Sequence, residues 1–358
     1  MGLATAWRAA AAGLGVVLIE QFELGHVRGA SHGEERIFRY GYTDRTYVRL
    51  ALAAEEGWKQ LEADSGRPLL DRIGCVDHGT VDELEQMAAA CQAEGVAVEW
   101  LGAEEARHRW SGLHFASPVL FQPGAGRIRA ADALDVLQAQ ATAAGAELRE
   151  NELVTQLVAD EEWVRVITEI EAFVAPVVVV TAGAWAGPLL FGHVDLPLLT
   201  TTCERVAFFE PRDPNDVWPS FIHRDVTSYY GLPGPHGLVK LGAHHTGPVT
   251  TGDTRSFDVD PPALARLSEY AVEWLPGLDP VPVDATTCLY TSTPTEDFVL
   301  DRAGPIVVGA GFSGHGFKFV PEIGRLLARL AKGEPGPGDP FRLGPGRRAG
   351  TLGPSGHR

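Results

Sequence analysis

The sequence predicts an α/β protein: a Rossmann-like nucleotide-binding domain on a parallel sheet, assembled from separate chain pieces, plus a second domain on an antiparallel sheet. Three observations predict it. The Ala-rich residues 3–12 form a helix closed by Gly13 and Gly15, and the apolar run 16–19 and Glu20 follow, which reads as the second half of a dinucleotide-binding βαβ unit or, equally on these residues alone, as any αβ pair that opens an α/β protein. Residues 177–180 are four valines in a row, the mark of a parallel-sheet strand buried on both faces, and Ala182-Gly183-Ala184 behind them lets backbone approach a ligand or helix closely. Residues 203–250 alternate as several short strands, the pattern of an antiparallel sheet.

After the opening unit comes a polar, basic loop, 25–42 (GHVRGASHGEERIFRYGY). Helices follow over 47–64, with Trp58 and Leu61 in the core, and over 82–93, separated by a strand at 73–76. A short helix over 103–110 ends at Trp110, an Ala-rich helix spans 131–144, and strands fall at 146–148 and 153–157. Beyond the valine run, strands are expected at 206–209, 228–232 and 238–241, a helix at 261–275, then strands around Cys288, at 298–301 and at 306–310. A glycine-rich turn opens a last helix, 320–332, and the Gly-, Pro- and Arg-dominated residues 333–358 are expected to be a flexible tail. The nucleotide-binding domain is therefore drawn from 1–72, 126–198 and 285–332, and the second domain from 73–125 and 199–284.

Composition bounds the function. The chain has 358 residues, 30 Lys+Arg against 47 Asp+Glu (net −17), 45% hydrophobic and 22% charged residues, an ordinary globular balance with material for a large core. The acidity argues against nucleic acid and anionic membranes as partners, because phosphate neutralisation needs clustered Lys and Arg. No apolar run reaches the ~20 residues that span a bilayer, and the opening reads as a helix running into a strand rather than as a secretory leader. Cys75, Cys91, Cys203 and Cys288 are far apart with no C-x-x-C pair, which predicts reduced thiols in a cytoplasm, with neither disulfides nor zinc.

The chemistry-bearing candidates cluster in a few motifs. Gly309-Ala310-Gly311-Phe312-Ser313-Gly314-His315-Gly316 joins a strand to a helix, where backbone N–H groups hold negative charge such as that of a reduced flavin; the plain alternative is a tight turn that needs glycine. Lys318, one turn on, is either a carboxylate anchor or a solvated helix lysine. If 34–39 is helical, Arg36 and Arg39 share a face and grip a cofactor and a carboxylate through forked hydrogen bonds, with His32 just before them; the alternative is surface pairing with Glu34 and Glu35. Lys240 and His244 fall on one face of a strand, with Gly242 leaving room between them, so Lys240 is either a fixed charge near a cofactor or an edge-strand lysine. Cys288 and Tyr290 face one way on another strand, where a lone cysteine is ordinarily inert core. His244 and His245 are expected to point to opposite faces and not to chelate together. No P-loop, H-E-x-x-H, G-x-S-x-G or metal-ligand spacing competes.

In order along the chain stand SHGEERIFRYGY, VVTAGAW, SYYGLP, VKLGAHHTG, CLYTSTPTEDFVLD and GAGFSGHGFKF, the last two highly specific. From Gly2 to about residue 332 the sequence resembles the monomeric sarcosine oxidase and N-methyltryptophan oxidase family of D-amino-acid-oxidase-like FAD amine oxidases. The resemblance implies FAD bound covalently through Cys288, with Glu20 on the adenosine ribose, Gly2 as the last fingerprint glycine, and Gly314, His315 and Gly316 in the flavin-contacting turn. It implies Arg36 over one face of the flavin with His32 beside it, Arg39 and Lys318 on the substrate carboxylate, Tyr230 and His244 lining the substrate pocket, and Lys240 activating dioxygen. The reaction so implied is oxidative demethylation of a secondary N-methyl amino acid to formaldehyde, the amino acid and hydrogen peroxide, by a monomer whose partners are that small molecule and dioxygen. A dehydrogenase, or an oxidase of cyclic or primary amino acids, on the same fold is the alternative. The family's first strand and first two fingerprint glycines would precede Gly2; without them the expectation is weaker hold on the FAD pyrophosphate, and an inactive remnant is the third reading. Ser31 stands where sarcosine oxidases often carry histidine, which leaves substrate preference open.

Overall fold

The computed structural model describes residues 1–160 and 162–344. The helix Gly2–Ala11 feeds the strand Val17–Ile19, which pairs in parallel with Glu147–Arg149. Val178–Val180 pairs in parallel with Ile306–Ala310, whose other edge carries Val299–Ala303 antiparallel. Helices Gly2–Ala11, Arg45–Ser65, Ala130–Ala143 and Val320–Ala331 pack around a core that includes Trp7, Trp58, Leu137, Phe319 and Leu327. Arg45–Ser65 starts where the Asp44 carboxylate accepts from the Thr46 N–H and stops at Gly66, whose φ of 66° only glycine takes easily. The first and last helices cross so closely that a Cβ on Gly324 would stand 2.6 Å from the Ala4 carbonyl carbon.

The valine run corrects an expectation. Val180 is buried, but Val178 and Val179 are only half-buried, because the strand pairs on one side alone and its valines line a large cavity. A second correction concerns the basic loop. Glu35–Phe38 is a strand, not a helix; it pairs antiparallel with Gly126–Arg129, which also carries Leu70–Asp71. Pairing with a distant segment satisfies the backbone that an isolated helical turn would otherwise have satisfied locally.

The second sheet has eight strands, in the order Asp284–Ser292, Thr200–Phe209, Val239–Ala243, Tyr229–Pro233, Ser220–Arg224, Cys75–Gly79, Val119–Gln122 and Glu99–Leu101. All neighbours are antiparallel except Ser220–Arg224 with Cys75–Gly79. Helix Pro261–Trp274 covers one face, over a core that includes Phe115, Phe209, Phe221 and Leu267. Val239, Leu241 and Ala243 enter that core, so strand alternation turns Lys240 and Gly242 the other way. Of the expected tail, residues 333–344 are described: Phe341 is buried and its carbonyl accepts from the Leu300 N–H, while 345–358 lie outside the described residues. Among the described residues no helix is long and apolar enough to cross a membrane, and all four cysteines are free thiols.

Candidate active site

A cavity of about 2260 Å³ lies between the nucleotide-type layer and the large sheet, room for a dinucleotide and a small substrate together. All thirteen candidate positions line it: Gly2 and Glu20 from the opening unit; His32, Arg36 and Arg39 from the basic segment; Tyr230, Lys240, His244 and Cys288 from the large sheet; and Gly314, His315, Gly316 and Lys318 from the last βα turn.

Lys318 and Arg39 converge on Tyr42. The buried Lys318 Nζ donates to the Tyr42 hydroxyl (3.0 Å) and to the His315 carbonyl (2.6 Å), and the Arg39 guanidinium lies 4.1 Å over the Tyr42 ring. Trp58 Nε1 donates to the Lys318 carbonyl at 2.8 Å and fixes the turn. Burial first, then the Arg39 charge, push the Lys318 amine well below its ordinary value. Arg39 Nη1 is buried without a partner among the described residues. A buried guanidinium with a spare donor beside a buried amine makes a grip for a carboxylate. Lys318 is therefore not a solvated helix lysine.

Lys240 sits on an interior strand, not an edge, with Nζ 3.0 Å from Glu35 Oε1; the side chains are 10% and 4% exposed. Burial and then Arg36 lower its pKa, against the pull of Glu35. Arg36 does not pair with surface acids. It donates to the carbonyls of Ala30 (3.0 Å), His32 (2.5 Å) and Glu35 (2.8 Å), and so ties the loop before the strand. The His32 imidazole lies inside that loop with Nε2 buried and unpartnered; burial, then Arg36, Arg255 and Lys240, push it down to about 4, which keeps it neutral at pH 7.

Cys288 is half-buried and lines the cavity, its Sγ 3.9 Å from the Ala30 carbonyl, whereas Cys75, Cys91 and Cys203 are buried core thiols. The Tyr290 hydroxyl donates to the Tyr230 oxygen at 3.4 Å, and burial pushes the Tyr230 phenol up to about 12. The room above Gly242 belongs to Tyr230, since a Cβ there would stand 2.7 Å from its ring. Gly314, at φ 76°, would put a Cβ 2.3 Å from the Tyr290 ring, so the turn needs glycine on both counts. Glu20 accepts from the Phe22 N–H at 3.2 Å.

The expectation that the adjacent histidines point to opposite faces is overturned. The strand ends at Ala243, His245 turns back at φ 54°, and the two rings lie 4.1 Å apart, so alternation no longer separates them. Burial and then His245 push His244 down to about 3. Sequence reasoning also missed Tyr42, Glu35 and Arg255. Tyr42 closes the FRYGY motif and Glu35 sits beside Arg36, both readable signals, but the buried Arg255, which donates to the Arg28 and Thr287 carbonyls (3.2 and 3.3 Å) next to Cys288, belongs to no motif.

A nucleotide-type βα layer laid against a large mixed sheet, with anion-gripping side chains between them, is the plan of a dinucleotide-dependent oxidoreductase. The chain belongs to the DAO family of FAD dependent oxidoreductases, whose model matches residues 1–330. It is 30% identical over 349 residues to the monomeric sarcosine oxidase of Bacillus sp. (strain B-0618), covering 92% of this chain and 89% of that protein. It is 31% identical over 358 residues to N-methyl-L-tryptophan oxidase of Yersinia pestis (strain Pestoides F), covering 95% and 94%. Among solved structures it is similar to NikD, an unusual amino acid oxidase essential for nikkomycin biosynthesis, at 30% identity and a TM-score of 0.83, covering 96% of this chain and 94% of that one. The protein is thus an amine oxidoreductase whose cofactor is FAD.

The residues present fit that cofactor. The cavity has the volume, an apolar wall at Val178–Val180, a free thiol, and two buried nitrogens, Arg39 Nη1 and His32 Nε2, that no group among the described residues satisfies.

Proposed function

We propose that this enzyme oxidises secondary N-methyl amino acids of the sarcosine type, yielding formaldehyde, the demethylated amino acid and hydrogen peroxide, as a monomer of the cytoplasm with FAD tethered through Cys288. The observation that carries the reading is the convergence of Arg39 and Lys318 across Tyr42 in the same cavity as Lys240 and the Cys288 thiol. Bound FAD supplies the two-electron acceptor for the amine and the route of those electrons to dioxygen. The protein supplies position and charge. Arg39 and Lys318 hold the carboxylate, which sets the amine end against the pocket wall of Tyr230 and His244. Neutral His244 adds no competing charge there. Lys240 is a fixed cation beside which an anion formed from dioxygen is stabilised. Arg36 and His32 would hold the cofactor's ring, Glu20 and Gly2 its adenosine end, and Gly314, His315 and Gly316 its charged edge. Residues 1–72, 126–198 and 285–332 would carry FAD, and 73–125 with 199–284 the substrate.

The names of the sarcosine and N-methyl-L-tryptophan oxidase relatives support N-methyl amino acids; the likeness to NikD favours, as second reading, an oxidase of another amino acid. The test is hydrogen peroxide release from sarcosine, N-methyl-L-tryptophan and proline, with acid precipitation of the purified protein. Turnover of an N-methyl amino acid and flavin colour that stays in the pellet, lost in Cys288→Ala, are expected. Turnover of proline alone overturns the substrate class, and colour in the wild-type supernatant overturns the tether.

A further inference from the structure

We infer that His244, His245 and Glu296 form a binding site for a zinc-class divalent cation at the rim of the cavity. All three line it, and one ligand atom from each lies within 4.8 Å of the other two. His245 Nε2 and Glu296 Oε1 are 3.3 Å apart. Two ligands at ~2.0–2.1 Å from a tetrahedral zinc are separated by about 3.3 Å, so this edge of the polyhedron is already formed. The His244 ring packs 4.1 Å from that of His245, and its ligand atom, within 4.8 Å of the other two, supplies the third corner once drawn in by the ion. Two imidazoles and one carboxylate satisfy three positions of a four-coordinate ion, and the fourth is left to water or a ligand in the cavity.

The backbone aims these side chains. His245 (φ 54°) and Glu296 (φ 62°) both sit in the left-handed region that side-chain-bearing residues seldom take, and in each case the turn brings the side chain toward the other. Supports surround the ligands: the Glu296 carbonyl lies 3.2 Å from His315 Nε2, its N–H donates to the Thr293 carbonyl (3.2 Å), and Tyr290 packs against both rings at 5.3 and 5.5 Å. The Glu296 and His245 side chains are 54% and 26% exposed, so an ion arrives from solvent. A cation here stands beside Tyr290 and His244 and obstructs the substrate pocket; that consequence rests on the function proposed above, while the site itself does not.

The experiment is a calorimetric titration of the purified protein with Zn²⁺ at pH 7.5, without amine, in a non-chelating buffer. One zinc per chain is expected, weakened at least about tenfold in His245→Ala and in the conservative Glu296→Gln, both checked for folding by circular dichroism. Zinc should inhibit peroxide release by the wild type, reversibly on adding a chelator, and at least about tenfold less potently in either variant, each compared with its own zinc-free turnover. No stoichiometric binding up to about 100 µM, or equal affinity in wild type and both variants, overturns the site. Binding that leaves turnover untouched overturns its placement over the pocket. A chain that binds zinc but oxidises no N-methyl amino acid keeps the site and loses the oxidase reading.

Discussion

Lys240→Met removes the ammonium that stands 3.0 Å from Glu35 Oε1 and leaves a carboxylate 4% exposed with its partner gone. At an effective dielectric of ~20 the attraction at 3.0 Å is about 5.5 kcal/mol. Part of it offsets the cost of taking both groups out of water, and removing one side of such a pair costs about 3–5 kcal/mol. Over 358 residues the unfolding entropy is about 0.75 kcal/mol/K, so the melting temperature should fall by about 4–7 °C. Adding Glu35→Gln removes the orphaned charge and should restore at least about half of that loss. Differential scanning calorimetry of wild type, both single variants and the double variant measures the coupling. Lys240→Met melting with the wild type, or strictly additive losses in the double variant, would refute the buried pair as the origin of the effect. The same variant separates structure from chemistry: anaerobic reduction by substrate should stay nearly intact while reoxidation by dioxygen slows by about a hundredfold or more.

Burial and Arg39 hold the Lys318 amine well below its ordinary value, and a carboxylate bound beside it reverses the shift; acetate binding should therefore take up protons, measured by calorimetry in buffers of different ionisation enthalpy, and Lys318→Met should abolish the uptake. In the core of the second sheet, His78 and His223 stack 4.1 Å apart, and burial lowers both pKa values, His78 further through its neighbours His223 and His114. The unfolded chain then binds protons that the native one refuses, so their contribution is whole above about pH 6.5 and is lost as pH falls, by up to ~1.4 kcal/mol per unit for each. Thermal melts between pH 7.5 and 5.5 should show the decline, flattened in His78→Gln/His223→Gln; an equal decline in that variant would contradict the assignment.

What could be read in advance follows periodicity. Helices such as Arg45–Ser65 and Pro261–Trp274 declare themselves because each buries a regular face, and the strand Ile306–Ala310 because it is apolar and buried throughout. The grouping of Cys288, Lys318 and Lys240 came from the motif set and its family likeness, and the cavity brings them together. The rest depends on partners far away in the chain. Glu35–Phe38 is a strand because Gly126–Arg129 pairs with it, and nothing in E-R-I-F announces that. Lys240 is interior because Thr200–Phe209 and Tyr229–Pro233 flank its strand. The meeting of His244 with His245 rests on a single positive φ just past the strand end, where alternation stops being informative.

Because Ala4 packs on Gly324, the nascent chain meets its closing partner only when about 320 further residues have left the ribosome. At roughly 5–20 residues per second that interval is some tens of seconds, through which the apolar stripe of Ala4, Ala6, Trp7 and Ala10 lacks its final cover. The turn that carries Gly314, His315, Gly316 and Lys318 into the cavity is made in the same late interval, so the cofactor cavity gains its last wall only near the end of synthesis.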